Sequence, residues 1–537
     1  MDSKQTMPEL RVEPHPSSHS LRGSQLALCV VASAAALFGL SQYYKMISAP
    51  QTALLAMLSA TPAVLGATAV DLSWYPPSDS KINSLTSALE SDGVYGFIFN
   101  SSKTADKDYG TYNWCNMPHA RKREYVRVSR DYELKYVEVI QRHHKRTPYA
   151  SNAFPVEPYQ WNCDDQGLYF FGRPFTKKGK SAAEAYWAGV PADGSDINPF
   201  VPSGWIGSCQ FPQITADGLD DSWTHGHDLY EVYHDLLGFL PGRNKNWRKK
   251  VQFRVTNNQI TSQVAAMFIN GMWDTTDSIP LIIQATGIDS LEPQYSCSVG
   301  SNLFSQIKSS SNPDWQLHLT KSSALFKTLD NISGVPSTDS GFHASFDHYY
   351  DNLSARQCHA RPLPCKLVDG KNSSTCVDQE TANAVYRMGQ WEYSQIYRDA
   401  SSSLAASSTS YGVWIAELAS HFRAVINGES STLYLHNFAH DGSTSRLLSI
   451  LQIDTMVWPG MGSEIVFELY KKKSRKPKDT SGYYVRVLFG GQTLKSSNPS
   501  LGLMEMVPVE TLLAYFDGLA GKNASLVKGK CSGSISV

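Results

Sequence analysis

The sequence predicts an α/β fold with a doubly wound, mostly parallel sheet and an inserted cap that is mainly helical and loop-rich. Short segments rich in β-branched and aromatic residues alternate with segments whose apolar residues recur at helical spacing. This alternation is the pattern of a sheet covered by helices. A polar stretch over residues 300–410 interrupts it and predicts the cap. The 537 residues suffice for one large domain with insertions or for two domains.

The first 69 residues predict a leader. Residues 26–40 are an unbroken apolar run, shorter than the ~20 residues of a membrane span. A second apolar stretch ends in Ala67-Thr68-Ala69, which has the A-x-A form of a signal-peptidase site. Two alternatives remain open: a signal peptide cleaved after Ala69, or a signal anchor retained through residues 26–40 as a membrane tether. The first predicts a secreted protein, and the second predicts a protein anchored in the secretory pathway that faces the lumen or the exterior.

Cysteines and sequons agree with export. With Cys29 of the leader set aside, eight of the nine cysteines remain, an even number that allows four disulfides in an oxidising compartment. None of them has CxxC-type metal spacing, so we expect no metal site. Candidate N-glycosylation sequons begin at Asn100, Asn331, Asn352, Asn372 and Asn523.

From residue 70 onward the predicted elements follow in order. Residues 70–132 have little periodicity and form an N-terminal extension, and residues 133–537 form the main domain. We expect cap insertions at roughly 150–215 and 275–410. Strands are predicted over residues 134–140, 251–255, 432–438, 465–470 and 483–489, and helices within 222–240, from Ile260, over 411–425 and around Leu447.

Charge restricts the class of ligand. Charged residues are 18% of the chain, hydrophobic residues are 42%, and the formal net charge is -1. This composition is globular, and it provides no overall positive field that would recruit nucleic acid. Attraction for a phosphate group must therefore come from a few placed cations.

Such cations surround His143. The segment Arg142-His143-His144-Lys145-Arg146-Thr147-Pro148 directly follows the first predicted strand of the main domain. In an open α/β sheet, ligands bind beyond the carboxyl ends of the strands. The two arginines provide planar donor forks for phosphate oxygens. The pattern therefore predicts that His143 can attack phosphorus.

Two other strand ends carry related residues. Arg254 lies near the end of the strand over 251–255, and His440-Asp441 follow the strand over 432–438. Because the carboxyl ends of parallel strands meet at one edge of the sheet, we expect these residues to converge with Arg142, His143 and Arg146.

These residues resemble the signature of the histidine acid phosphatases, the second branch of the histidine phosphatase superfamily, which includes fungal acid phosphatases and phytases. The family's Arg-His-Gly-x-Arg-x-Pro is similar to residues 142–148, its His-Asp is similar to His440-Asp441, and its third arginine falls in a strand-to-helix segment like 251–273. The resemblance covers roughly residues 134–515. It implies a fold like that of the phosphoglycerate mutases.

The resemblance also implies a mechanism. His143 would form a phosphohistidine, and Asp441 would give a proton to the leaving group and then act as a base. Arg142, Arg146, Arg254 and His440 would bind the phosphate oxygens. The implied substrate is a small-molecule phosphate monoester, with no metal or organic cofactor, and no feature of the sequence indicates the oligomeric state.

His144 departs from the family pattern, because it occupies the position of the family's glycine. Its side chain could crowd the phosphate or add a donor to it. Three alternatives therefore stay open: a broad-specificity acid phosphatase, which we favour, a phytase or other specialised phosphatase, and a catalytically silent binding member of the same fold.

Overall fold

A computed structural model describes residues 70–156, 159–169, 185–189, 204, 207–473 and 482–537. The predicted cleavage site after Ala69 and the predicted tether over 26–40 lie outside these residues, as does much of the predicted insertion at 150–215. Within the described ranges, no helix combines the length and the apolarity that a bilayer crossing requires.

Among the described residues, the central sheet has seven strands, which are β1 (Tyr132–Arg142), β4 (Val251–Val255), β7 (Tyr434–Ala439), β8 (Glu464–Lys472), β9 (Tyr483–Phe489), β10 (Gln492–Thr493) and β11 (Val507–Pro508). Their order in the sheet is β10-β9-β8-β1-β7-β4, with β11 paired to β9. The strands β1, β7 and β4 pair in parallel, whereas β8 is antiparallel to both β1 and β9. Two short hairpins lie outside this sheet: β2 (Leu168–Tyr169) with β3 (Tyr186–Trp187), and β5 (Cys365–Val368) with β6 (Lys371–Cys376).

Helices connect these strands. The α-helices are α1 (Leu85–Glu90), α2 (Ala216–Tyr230), α3 (Gln259–Trp273), α4 (Ser298–Ile307), α5 (Pro313–Lys321), α6 (Ser323–Ser333), α7 (Ser340–His343), α8 (Asp347–Cys358), α9 (Gln379–Ser394), α10 (Ser403–Ile426), α11 (Asp441–Ile450), α12 (Val509–Ala520) and α13 (Val527–Ser532). The π-helices Glu231–Leu236 and Gln395–Asp399 continue α2 and α9. Short 3-10 helices cover Asp106–Asp108, Ala150–Asn152, Trp247–Lys249 and Lys522–Ala524.

Both faces of the sheet are covered. Successive residues of β1 face opposite sides: Val139 packs into a core with α2 and α3, and Ile140 packs into a core with α10, α11 and α12. Burial on both faces explains why the second half of β1 is a continuous buried run rather than an alternating one. The predicted α/β fold with helices on both sides is confirmed.

A third core joins the N-terminal extension to the cap. Phe99 and Trp114 of the extension pack with Tyr350 of α8 and Trp391 of α9. The predicted cap segment 275–410 contains α4 to α9 and the hairpin β5–β6, so it is mostly helical. All eight cysteines form disulfides, which are Cys115–Cys358, Cys163–Cys209, Cys297–Cys531 and Cys365–Cys376.

One predicted glycosylation site is corrected by the structure. Asn352 lies within α8 and is 1% exposed. Its amide nitrogen donates to the carbonyl of Asn152, and its amide oxygen accepts from Arg356. No glycan can be attached there in the folded protein. The four other sequon asparagines are exposed.

Candidate active site

The segment after β1 is held by backbone bonds at the carboxyl ends of two parallel strands. The His143 N–H donates to the carbonyl of Ala439, the last residue of β7 (3.0 Å). The N–H of Arg142 donates to Ser463 (2.8 Å), and the N–H of Gly462 donates back to His143 (3.0 Å). These bonds place His143 at the edge of the sheet where α/β proteins bind ligands.

His143 is buried and has a defined protonation pattern. Its Nδ1 lies 2.9 Å from the carbonyl oxygen of His144. Because a carbonyl can only accept, Nδ1 carries the proton, which leaves the lone pair on Nε2. Burial, together with the nearby charges of Arg142 and Arg146, holds the pKa of His143 well below its usual value. The ring is therefore neutral, with its proton on Nδ1.

Arg142 forms one wall of the site. Its guanidinium donates to the carbonyl of Pro459 (2.5 Å), pairs with Asp441 (3.1 Å) and lies over the ring of Trp114 at 4.6 Å. The residue is 1% exposed. Its Nε is a buried donor without a partner among the described residues.

Arg146 is held in a similar way by the cap. It pairs with Asp351 of α8 (3.0 Å) and lies over the ring of Tyr149 at 4.1 Å. Its Nε is also buried and has no partner among the described residues. Two free donors on two buried arginines therefore accompany one neutral histidine.

His440 and Asp441 begin the helix α11. The ring centroid of His440 lies 5.5 Å from that of His143, and His440 Nε2 is 2.9 Å from the hydroxyl of Thr256 and 3.4 Å from the carboxylate of Glu292. As the first residue of a helix, Asp441 lies where the helix dipole favours negative charge.

The carboxylate of Asp441 receives several donors. It accepts from Arg142, from the indole of Trp458 (2.8 Å) and from the N–H of Gly442 (2.9 Å). Burial acts to raise the pKa of Asp441, but Arg142 and the Trp458 hydrogen bond outweigh it and lower the pKa. In the resting site Asp441 is therefore ionised.

Arg254 is bound elsewhere. In the sheet register it lies beside Asn437, two residues before Ala439, which pairs with Arg142. Its guanidinium donates to Glu417 of α10 (2.8 Å), and its other hydrogen bonds go to Gln284, Ser290 and Asp289. It is also the only arginine in the segment 251–273. The structure thus gathers Arg142, His143, Arg146, His440 and Asp441 and directs Arg254 to a separate acidic cluster.

A model of the histidine phosphatase superfamily (branch 2) matches residues 133–490. The chain belongs to this family. Counting factor 60 of Dictyostelium discoideum is 23% identical over 374 residues, which cover 67% of this chain and 80% of that one.

Solved structures similar to this histidine phosphatase include two bacterial phytases. The phytase from Citrobacter braakii has a TM-score of 0.47 at 12% identity and covers 73% of this chain and 100% of its own. The Hafnia alvei phytase in complex with tartrate has a TM-score of 0.48 at 12% identity, with 74% and 99% covered.

The side chain of His144 is directed into the protein. It is fully buried, 3.0 Å from Gln141 Nε2 and 3.3 Å from His225 Nδ1. A Cβ on Gly462, whose φ is +70°, would lie 2.3 Å from the His144 ring, so only glycine leaves room for that ring. Within the histidine phosphatase site, His144 therefore contributes through its backbone carbonyl.

Three residues that contact the site residues, Trp458, Asp351 and His225, cannot be recognised from local sequence patterns. Trp458 lies in a stretch that resembles the family, but nothing indicated that its indole binds Asp441. Asp351 comes from a cap helix 205 residues beyond Arg146, and no local pattern marks it. No local pattern marks His225, because its burial depends on the packing of α2 against Glu464 of β8.

Proposed function

We propose that this histidine phosphatase hydrolyses phosphate monoesters through a phosphohistidine at His143. The observation that carries the proposal is the buried, neutral His143, which carries its proton on Nδ1 and lies close enough to Arg142 and Arg146 for their charges to lower its pKa. Each of these arginines also has a buried Nε without a partner among the described residues. A neutral imidazole is the form that attacks phosphorus, and preorganised arginines stabilise the charge on the equatorial oxygens.

In the first step, Nε2 of His143 forms a bond to phosphorus while the bond from phosphorus to the ester oxygen breaks. Arg142 and Arg146 bind the equatorial oxygens, and the N-terminus of α11 adds its positive dipole end. The leaving alkoxide takes a proton from Asp441. In the second step, water attacks phosphorus, Asp441 takes the proton of the water, and the bond from phosphorus to nitrogen breaks to release phosphate.

The protonation of Asp441 depends on the substrate. In the resting site Asp441 is ionised because it pairs with Arg142. A bound phosphate competes for Arg142 and adds negative charge, and both effects raise the pKa of Asp441. Protonated Asp441 then becomes available at acidic pH, which supports an acid phosphatase.

The proposal is tested by replacing His143. His143→Ala should abolish phosphate release from p-nitrophenyl phosphate, and His227→Ala, at a half-buried position away from the site, should not change it. Wild type quenched during turnover of labelled substrate should carry a base-stable, acid-labile phosphoryl group. Undiminished turnover in His143→Ala would refute the nucleophile.

Substrates with a single phosphate are favoured over phytate. The carboxylate of Glu292 lies 3.4 Å from His440, and the carboxylate of Asp351 pairs with Arg146. The positive charge of the site is therefore partly compensated by carboxylates. A polyanionic leaving group would be repelled by Glu292. We expect simple alkyl and aryl phosphates to have a higher kcat/KM than phytate, and the reverse ranking would support the phytase alternative.

A second candidate is a member that binds phosphate esters without turnover. The position of Arg254 favours it, because Glu417 and Asp289 already compensate the charge of this arginine. Saturable binding of inorganic phosphate without any trapped phosphohistidine would support this candidate.

The four disulfides indicate an extracellular or secretory-pathway protein. Within that range we propose secretion after cleavage behind Ala69, with glycans at Asn100, Asn331, Asn372 and Asn523. N-terminal sequencing of protein from the culture medium should find Val70. Recovery of an intact chain in the membrane fraction would support the anchor instead.

A further inference from the structure

A buried chain of polar side chains runs behind His143. Its members lie on three strands, one helix and the segment after β1, and all are fully buried: Gln141, His144, His225, Tyr434, His436 and Glu464. Most buried polar groups in proteins are hydrogen-bonded, and a chain of this length orders the groups that take part in it.

The hydrogen bonds of this chain are continuous. Tyr434 bonds His436 Nδ1 (2.7 Å), His436 Nε2 bonds the amide oxygen of Gln141 (2.8 Å), and the amide nitrogen of Gln141 lies 3.0 Å from His144 Nε2. From the other side, His225 Nδ1 lies 3.3 Å from the same His144 nitrogen, and His225 Nε2 lies 2.9 Å from Glu464.

The direction of these bonds follows from the amide of Gln141. An amide nitrogen can only donate, so His144 Nε2 accepts from it, and it accepts from His225 Nδ1 as well. His225 then accepts at Nε2, which requires a protonated Glu464. Burial raises the pKa of Glu464 to about 7, in agreement with this arrangement. The His144 ring is therefore held by two donors.

The backbone of His144 reaches the nucleophile. Its carbonyl accepts from His143 Nδ1, and this bond keeps the proton off Nε2. The anchored ring and the adjacent Gly462, which donates to the carbonyl of His143, leave the peptide little freedom to turn. The His144 ring also has a buried Nδ1 without a partner among the described residues. An apolar side chain would avoid that unsatisfied donor, so packing alone does not explain a histidine here.

We propose that His144 is a positioning residue: its ring, anchored by Gln141 and His225, fixes the backbone carbonyl that holds the proton of His143 on Nδ1. The expected effect on the reaction rate rests on the proposed function of His143. The expected effect on the His143 tautomer does not depend on that function. His144 stands at the position of the family's glycine, and its ring provides an anchor that a glycine lacks.

The test compares three variants. His144→Ala removes the anchor, Gln141→Leu removes one donor and leaves residue 144 untouched, and His144→Gln restores an acceptor, its amide oxygen, for the same two donors. With ¹⁵N-labelled histidine, NMR of the wild type below pH 7, where Glu464 is protonated, should show His143 as the single Nδ1–H tautomer. His144→Ala and Gln141→Leu should show a mixture of tautomers, and His144→Gln should recover the single form.

Kinetics give the second readout. The rate of phosphohistidine formation at saturating p-nitrophenyl phosphate should fall ~10–100-fold in His144→Ala, as expected for a displaced reacting group. KM should stay unchanged because the arginines are intact, and His144→Gln should recover most of the rate. His227→Ala serves as the control.

Two outcomes would overturn the proposal. One is an unchanged His143 tautomer in both His144→Ala and Gln141→Leu. The other is an equal loss in His144→Ala and His144→Gln, which would reduce His144 to a packing role. If the wild type shows no turnover, the proposed function fails, but the tautomer measurement still decides the role of His144. If His144→Ala does not fold, Gln141→Leu carries the same comparison.

Discussion

At the residue scale, the role of Asp441 depends on how much help the leaving group needs. An alkyl alkoxide leaves poorly without a proton, whereas p-nitrophenolate leaves without one. Asp441→Asn should therefore slow phosphorylation by alkyl phosphates by the ~10²–10⁴-fold typical of lost general acid catalysis, and by p-nitrophenyl phosphate much less. Single-turnover kinetics on both substrates measure the difference. An equal loss on both would show that Asp441 does not protonate the leaving group.

Glu464 offers a pH test at the same scale. Burial raises its pKa from 4.5 to about 7, so the unfolded chain loses this proton near pH 4.5 and the folded chain keeps it to about pH 7. The contribution of Glu464 is therefore fully present below pH 4.5 and is lost as the pH rises to about 7. Relative to Glu464→Gln, which cannot ionise, the free energy of unfolding of the wild type should fall by about 3 kcal/mol over that interval.

Urea unfolding of both proteins at several pH values checks this expectation. Other titrating groups are common to both proteins and cancel in the difference. The glutamine amide can donate to His225 and accept from Ala120, as protonated Glu464 does, so the geometry is preserved. A pH-independent difference would show that Glu464 is ionised in the folded protein.

At the scale of elements, the sequence was a good guide to the strands and a poor guide to their alignment. Periodicity and β-branched content predicted β1, β4, β7, β8 and β9 to within a few residues. The Arg-His-x-x-Arg spacing predicted that His143 lies at a strand end. Neighbouring strands, however, align through tertiary packing that no local pattern encodes, and the register of β4 against β7 places Arg254 beside Asn437 and α10.

That register gives a prediction. Arg146→Ala should slow phosphohistidine formation ~10²–10³-fold, the usual effect of removing a charge-stabilising donor. Arg254→Ala should slow it less than about tenfold and instead destabilise the fold by roughly 3–5 kcal/mol, because Glu417 and Asp289 lose their buried partner. Single-turnover rates and urea unfolding of both variants separate the two effects. A rate loss in Arg254→Ala as large as that in Arg146→Ala would return Arg254 to the phosphate site, where the family resemblance placed it.

At the scale of the whole molecule, distant segments build the site. The N-terminal extension supplies Trp114 under Arg142, and the cap helix α8 supplies Asp351 to Arg146. Asp351 lies 205 positions beyond Arg146, and Trp114 lies in a segment without clear periodicity, so a single sequence does not reveal these contacts. The eight cysteines predicted that covalent links exist, but their pairing follows from the fold.

The disulfide Cys115–Cys358 connects the segment that carries Trp114 to the helix that carries Asp351. Cys115 follows Trp114 in the chain, and Cys358 ends the helix that carries Asp351; the two cysteines are 243 residues apart in sequence. Replacing both with alanine should lower the free energy of unfolding by about 3–5 kcal/mol, because a long loop of the unfolded chain is released. It should also raise the KM for p-nitrophenyl phosphate, because the distance between Arg142 and Arg146 is no longer fixed by the disulfide.

The control is the double alanine variant of Cys365 and Cys376. It releases a loop with a separation of only 11 residues in an exposed hairpin, so it should leave KM unchanged. Calorimetry and steady-state kinetics on both double variants test this account, and an unchanged KM in the Cys115 and Cys358 variant would show that packing alone holds the two arginines in place.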